Sequence, residues 1–252
     1  MRVKNRKFQN DSRIKKTVVV LGNAKSGTSV VAGVLYILGV DIGKKFVEAD
    51  GFNPKGYFED YDFVNLTDAI FEAAKTNYWD FPSHEKLLAQ KKNFDSRIRT
   101  LIRKKEKDKR IWGWKDPWTN ILIDLFLPYL TNPYFIVIFR NPLAIAKSAV
   151  TFTKGKQHEF WVKRPITLFH GLKLANFYDR IILDFLEKYQ KLPQLFIAFE
   201  DIIENPTRET KRVTKFLGIT PTKQQIDRIL DFVMPRNKVD RERKRFKNKS
   251  IN

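Results

Sequence analysis

The sequence predicts a single α/β domain with a central parallel sheet flanked by helices. Short β-branched or aromatic runs alternate with segments of helical apolar spacing, which is typical of parallel strands joined by helical crossovers. A glycine loop, GNAKSG, follows the first run directly and precedes an apolar helix. The 252 residues include 21 Phe and 5 Trp, enough apolar volume for one full core. No internal repeat or low-complexity linker divides the chain, so we expect one domain.

The elements follow from local pattern in chain order. Apolar runs bounded by turn residues predict strands at Thr17–Leu21, Tyr134–Phe139 and Leu195–Phe199. Pro142 suits a first helical position, and Asn141 before it can cap that helix. The remaining predicted helices are Thr28–Leu38, Asp62–Lys75, Lys86–Lys107, Ile121–Leu130, Pro165–Lys188, Pro206–Leu217 and Thr222–Phe232.

The loop after the first strand has the spacing of a phosphate-binding loop. Gly22 and Gly27 form GxxxxG, in which backbone N–H groups and a helix N-terminus surround an anion. A Walker loop continues with Lys and then Ser or Thr, whereas Thr28 and Ser29 follow here and Lys25 lies inside the loop. The sequence therefore predicts a P-loop-like sheet whose loop differs from a Walker loop; a purely structural glycine turn is the alternative.

A second candidate phosphate element, RNPLAIAKS, follows the second predicted strand. Arg140 leaves that strand, and Ser148 lies about two helical turns further on. Ligands of parallel sheets bind at the carboxyl ends of the strands, where this element would join the glycine loop. An arginine fork and a hydroxyl can then hold one phosphate from two sides.

Charge and composition limit the partners and the chemistry. The net charge of +20 predicts anionic partners, and much of it lies in a basic N-terminal tail, 1–16, and a basic C-terminal tail, 234–252, around a domain at 17–233. No nucleic-acid-binding signature accompanies these runs, so solvated tails are preferred to a nucleic-acid site. The absence of cysteine excludes disulfides and thiolate metal sites, and three scattered histidines do not form a metal site. No signal peptide or transmembrane segment is found, and we expect a soluble cytoplasmic protein.

Several stretches, in the right order, resemble the sulfotransferases that use 3′-phosphoadenosine-5′-phosphosulfate (PAPS). NAKSGTS is similar to the family's loop for the 5′-phosphosulfate, and RNPLAIAKS to its RNPxxxxxS element for the 3′-phosphate. FEDIIENPTRETKRVTKFLGI resembles the late YEDL…FLG segment, and NPKGYFED and WGWKDP resemble segments of bacterial members. Val30 stands where cytosolic members have a tryptophan, the RKGxxGDW element is absent, and Phe199 replaces the tyrosine of YEDL. These departures place the chain nearer the bacterial carbohydrate-type branch.

The resemblance implies a donor site without a metal ion. Lys25 would neutralise the leaving 5′-phosphate, which the N–H groups of Ser26, Gly27, Thr28 and Ser29 and the Thr28 hydroxyl would hold. Arg140 and Ser148 would hold the 3′-phosphate. Catalysis would then depend on positioning and electrostatic stabilisation, as in phosphoryl transfer.

The acceptor must also lose a proton, and a general base should face the sulfuryl group. Glu59 in NPKGYFED is our candidate; Asp60, His84 and Asp116 are the alternatives, and an acidic pair opening a helix can also be a simple cap. Lys115 in WGWKDPW is a candidate contact to the sulfonate or acceptor.

Two further expectations concern aromatic and loop residues. Trp112, Trp114 and Trp118 are expected in the core, with sugar stacking as the alternative. The aromatic and basic segment Thr151–Pro165 is a candidate mobile loop over the donor and acceptor.

The expected acceptor is a carbohydrate or another small molecule. A magnesium-dependent P-loop kinase and a non-catalytic polyanion-binding protein are the competing functions.

Overall fold

A computed structural model describes residues 15–155, 162 and 165–233. Within them, one sheet of four parallel strands has the order β2-β1-β3-β4. The strands are β1 (Lys16–Leu21), β2 (Ile111–Lys115), β3 (Pro133–Phe139) and β4 (Gln194–Ala198). The fold class is therefore the one that the sequence predicts.

Helices cover both faces of the sheet. They are α1 (Thr28–Ile37), α2 (Tyr61–Ala73), α3 (His84–Leu88), α4 (Lys91–Glu106), α5 (Thr119–Phe126), α6 (Pro142–Thr153), α7 (Leu168–Lys188), α8 (Phe199–Glu204), α9 (Pro206–Leu217) and α10 (Lys223–Val233), with 3₁₀ turns at Tyr78–Asp80 and Leu127–Tyr129. Because successive strand side chains point to opposite faces, Val19 packs under α2 and α4 to α7, whereas Val18 and Val20 pack under α1 and α8 to α10. Asn141 caps α6 as predicted, since its side chain accepts from the N–H groups of Leu143 and Ala144.

Three elements differ from the sequence expectation. Strand β2 was missed because its centre is Gly113, a residue that is depleted in strands. A Cβ at Gly113 would lie 1.9 Å from the Val18 carbonyl oxygen, so β1 approaches too closely for any side chain there. The single helix expected at Lys86–Lys107 is two helices, α3 and α4, and the short helix α8 begins directly after β4.

Parts of the predicted organisation lie outside the described residues. These parts are residues 1–14 of the N-terminal tail, the whole C-terminal tail at 234–252, and 156–161 and 163–164 of the expected loop over the site. Lys16, assigned to the N-terminal tail, is buried and begins β1. None of the helices in the described part of the chain is long and apolar enough to span a membrane.

Candidate active site

The carboxyl ends of the strands lie side by side at one edge of the sheet. Val20 pairs with Lys115, and Phe139 pairs with Ala198. The chain therefore leaves the sheet at this edge into the glycine loop after β1, the KDP turn after β2, Arg140 after β3 and α8 after β4. The sequence motifs from separate parts of the chain meet at this edge.

The glycine loop is anchored by side chains that the sequence analysis did not single out. The amide of Asn120, in α5, accepts from the Gly22 N–H at 3.0 Å and donates to the Gly22 carbonyl at 2.7 Å. The Tyr78 hydroxyl accepts from the Ala24 N–H at 3.1 Å. Asn23 itself donates to α7, where it contacts Asp179 Oδ1 at 2.6 Å. In the sequence, the one signal that could have pointed to these residues is that each is polar within an otherwise apolar segment.

The backbone of the loop turns in a way that glycine permits. Gly27 has a φ of 99°, in the left-handed region, and a Cβ there would lie 2.2 Å from Cδ2 of Phe199. Lys25 also has a positive φ, of 73°. Ser26, within the loop, is fully buried, and its Oγ has no hydrogen-bond partner among the described residues. The loop is thus closely packed and retains a buried hydroxyl without a partner.

Lys25 lies close to other charges in the site. Its ammonium group lies 4.5 Å from the centre of the Phe152 ring. Burial, with smaller contributions from the charges of Lys115 and Arg140, lowers the pKa of Lys25 to about 8, while Asp50 and Glu59 oppose the shift.

Arg140 joins the RNPLAIAKS segment to the glycine loop. Its Nη1 donates to the Lys25 carbonyl at 2.9 Å, and its guanidinium lies 4.2 Å from the centre of the Phe199 ring. Arg140 Nε is buried and has no hydrogen-bond partner in the described part of the chain. Phe199, noted in the sequence only as a replacement for tyrosine, therefore touches both the loop at Gly27 and Arg140.

Lys115 connects β2 to the loop and to the candidate base. Its Nζ forms a short ion pair with Glu59 Oε1 and lies 3.3 Å from Ser29 Oγ. The Lys115 side chain is 1% exposed, and that of Glu59 is 16% exposed. Asn53, in the turn before Glu59, donates to Ser29 Oγ at 3.0 Å. The NPKGYFED segment and the glycine loop are thus in direct contact.

The alternative bases occupy different environments. Asp60 caps α2 and pairs with Lys105 at 2.6 Å, and His84 lies 3.8 Å from Asp124. Asp116 is buried, and desolvation, with a smaller contribution from Glu59, raises its pKa to about 7. Of these alternatives, Asp116 lines the same cleft as Glu59, and the other two do not.

The predicted site residues, apart from the buried Ser26, line one cleft of about 280 Å³. The predicted residues along its walls are Lys25, Gly27, Thr28, Ser29, Glu59, Lys115, Arg140 and Ser148. Trp112 and Trp114 lie in the core as expected, but Trp118 is half-buried and lines the cleft. Three cations at a backbone loop can hold an anion, and a carboxylate beside them can take a proton. Among the described residues, no group of three or more His, Asp or Glu side chains is placed to bind a metal ion.

A comparison with models of protein families matches residues 15–238 of this chain to the sulfotransferase domain. The chain belongs to the sulfotransferase domain family. Sulfuryl transfer is accordingly the activity that this membership supports. A comparison with curated protein sequences found no significant match.

Solved structures of other sulfotransferases share the fold. A sulfotransferase domain from the curacin biosynthetic pathway has 13% identity and a TM-score of 0.51, covering 85% of this chain and 78% of that chain. The sulfotransferase domain of the olefin synthase of Synechococcus PCC 7002 has 14% identity and a TM-score of 0.51, covering 88% and 80%. At these identities the likeness concerns the fold.

Proposed function

We propose that this sulfotransferase transfers the sulfuryl group of PAPS to a hydroxyl or amine of a carbohydrate acceptor, and that it belongs to the bacterial carbohydrate-type branch of the family. The observation that carries the proposal is the position of Lys115, whose Nζ contacts both Glu59 and Ser29 of the phosphate loop. A candidate base and a candidate anion site are thereby held next to each other by one cation.

The residues around the loop fit an anionic donor with two phosphate positions. Ser26 Oγ and Arg140 Nε are buried donors without partners among the described residues, and such groups are costly unless a ligand or water satisfies them. Lys25 and the N–H groups of residues 27–29 would hold the 5′-phosphate; the Ser26 N–H, expected to take part, already donates to the Asn23 carbonyl at 3.0 Å. Arg140 and Ser148, which line the same cleft, would hold the 3′-phosphate.

The donor supplies a sulfuryl group bound to a phosphate leaving group. Glu59 takes the proton that the acceptor loses as its oxygen or nitrogen bonds to sulfur and the bridging S–O bond breaks. The electron pair of that bond departs on the phosphate, whose charge Lys25 stabilises. Protonation of Glu59 removes its ion pair with Lys115, and the freed charge of Lys115 then acts on the group held at Ser29. No step requires a metal ion.

Thermal unfolding with matched ligands tests the donor assignment. Adenosine 3′,5′-bisphosphate (PAP), the desulfated donor, is compared with ATP plus magnesium and with 5′-AMP. At 100 times the dissociation constant, a ligand of the folded state stabilises it by about 2.7 kcal/mol. For a chain of this size that corresponds to a rise in Tm of roughly 5–11 °C.

Arg140→Ala should abolish the PAP-specific shift, whereas Arg180→Ala, which removes an arginine that is 85% exposed on α7, should preserve it. A larger shift with ATP and magnesium would support the kinase alternative instead. Equal stabilisation by any polyanion, lost at high salt, would support non-catalytic binding.

A further inference from the structure

One wall of the cleft carries more negative than positive charge. It is formed by α2 and the turn after β2, and its lining residues are Val64, Asp68, Asp116, Pro117 and Trp118, here called the α2 wall. Neither Asp68 nor Asp116 has a Lys, Arg or His partner within ion-pair distance among the described residues. The nearby Lys115 is already paired with Glu59.

The two aspartates of the α2 wall differ in their free bonding capacity. Asp116 is 3% exposed, and its oxygens accept from the Thr67 hydroxyl at 2.7 Å and the Trp118 N–H at 3.0 Å. Asp68 is half-buried; its Oδ1 accepts from Trp118 Nε1 at 2.9 Å, and its Oδ2 has no partner in the described part of the chain. Asp68 thus offers one carboxylate oxygen to a ligand in the cleft.

Burial is energetically unfavourable for the ionised form of Asp68. Desolvation raises its pKa to about 6, and the negative charge of Glu59 contributes in the same direction. The indole N–H of Trp118 opposes this shift only in part. A cation placed beside Asp68 would relieve the unfavourable charge, since an opposite charge favours the ionised carboxylate.

Aromatic rings complete this part of the cleft. Trp118 stacks on Tyr78 with ring centres 4.3 Å apart, and Trp79 meets Trp118 edge-on at 6.4 Å. Trp79 also lines the cleft, is 3% exposed, and has an Nε1 without a hydrogen-bond partner among the described residues. An oxygen of the substrate that receives the sulfuryl group could accept a hydrogen bond from that N–H. Tryptophan rings next to a carboxylate also form a favourable environment for an ammonium group.

We propose that the α2 wall binds a cationic group of the acceptor, with Asp68 as its counter-ion, so that the acceptor is a hydroxyl compound that also carries an ammonium group. This proposal rests on the proposed function, because it assigns the acceptor half of the same cleft. A neutral sugar could hydrogen-bond to Asp68 as well, but it would leave the charge of the wall uncompensated. A cationic acceptor should therefore bind more tightly than a neutral acceptor of the same shape.

The test uses two alcohols of the same shape that differ by one charge. Choline is cationic, and 3,3-dimethylbutan-1-ol is its neutral counterpart. Each is titrated into the 252-residue chain saturated with PAP, and binding is followed by tryptophan fluorescence or ligand-observed NMR. PAP binding is measured first, so that a failure of the donor assignment is seen separately.

We expect choline to bind about tenfold more tightly than the neutral alcohol, a difference of about 1.4 kcal/mol. Asp68→Asn, which retains an acceptor for the Trp118 indole, should bring this ratio to about one while changing PAP affinity less than about twofold, since the donor residues are untouched. Glu72→Gln removes the same charge from an exposed position on α2 and should leave the ratio unchanged. Equal binding of both alcohols to the unsubstituted protein, binding of neither, or a ratio that persists in Asp68→Asn would each overturn the proposal.

Discussion

Asn120→Asp should destabilise the protein in a strongly pH-dependent way. The Asn120 side chain is 1% exposed and forms two hydrogen bonds with the backbone of Gly22, at the start of the glycine loop. The substitution retains the shape of the side chain and an acceptor for the Gly22 N–H. It replaces the amide donor, 2.7 Å from the Gly22 carbonyl oxygen, by a second oxygen.

The magnitude follows from the protonation state of the introduced carboxyl. When protonated, it can donate to the Gly22 carbonyl as the amide does; when ionised, it is a buried charge facing a carbonyl oxygen. Its folded-state pKa is therefore raised above the unfolded value of about 3.9. A raised folded-state pKa means that stability is retained at low pH and lost as the pH rises, by about 1.4 kcal/mol per pH unit until the folded-state pKa is reached.

Urea unfolding at pH 5 and pH 7.5, followed by fluorescence, measures this difference. Burial raises a carboxyl pKa by as much as 3–5 units, so the loss of unfolding free energy should be about 3 kcal/mol larger at pH 7.5 than at pH 5. Asn132→Asp is the matched control, because Asn132 is only half-buried and its 2.9 Å hydrogen bond to the Lys15 carbonyl is exposed to solvent. A destabilisation of Asn120→Asp that is equal at both pH values, or a control with the same pH dependence, would refute the reasoning.

Three further predictions concern the loop and the base. PAP affinity should be nearly constant between about pH 7 and pH 8, where the phosphates of PAP, with second pKa values of about 6, are ionised. It should fall by up to about tenfold per pH unit above pH 8, because Lys25 with its pKa of about 8 loses its charge there; calorimetric titrations of the unsubstituted protein and of Lys25→Met check this, and the variant should lack the fall above pH 8. Glu59→Gln should lower kcat by about 10²- to 10⁴-fold without weakening PAP binding, since the loss of a base leaves the cations at the loop; a PAP-release assay and a PAP titration separate the two effects. Gly27→Ala should destabilise the protein by more than about 2 kcal/mol, because its φ is 99° and its Cβ would meet Phe199, whereas Gly51→Ala, with open space around it, should be nearly neutral in the same urea assay.

The proximity of the candidate phosphate-binding residues was predictable from strand order and local motifs. The glycine loop and RNP element each follow a strongly β-branched strand, and parallel strands bring their carboxyl ends to one edge, so the proximity of Lys25 and Arg140 follows from sequence pattern. The contact between Lys115 and Glu59 was not predictable in this way. It required strand β2, whose signal was weakened by Gly113, and that glycine is explained only by the approach of β1.

The supporting residues could not be read from the sequence for a related physical reason. Helical periodicity identifies a buried face, but it does not say which loop or strand that face meets. Asn120 lies in a buried run of α5, and its partner Gly22 is 98 residues earlier in the chain. Asp68 on α2 and Trp118 after β2 are similarly brought together only by tertiary packing.

The positive charge of the cleft comes from three separate elements rather than from one motif. Lys25 belongs to the loop, Lys115 to β2, and Arg140 follows β3. The charges of Lys115 and Arg140 both lower the pKa of Lys25, so each of them repels Lys25 before any anion is present. The Lys115 ion pair with Glu59 offsets part of this repulsion, and an anion at the loop would offset the rest. The glycine loop supplies Lys25 itself, but Lys115 belongs to one other strand and Arg140 follows another, and the sheet topology brings both beside it. No single segment of the sequence therefore predicts the candidate anion site completely.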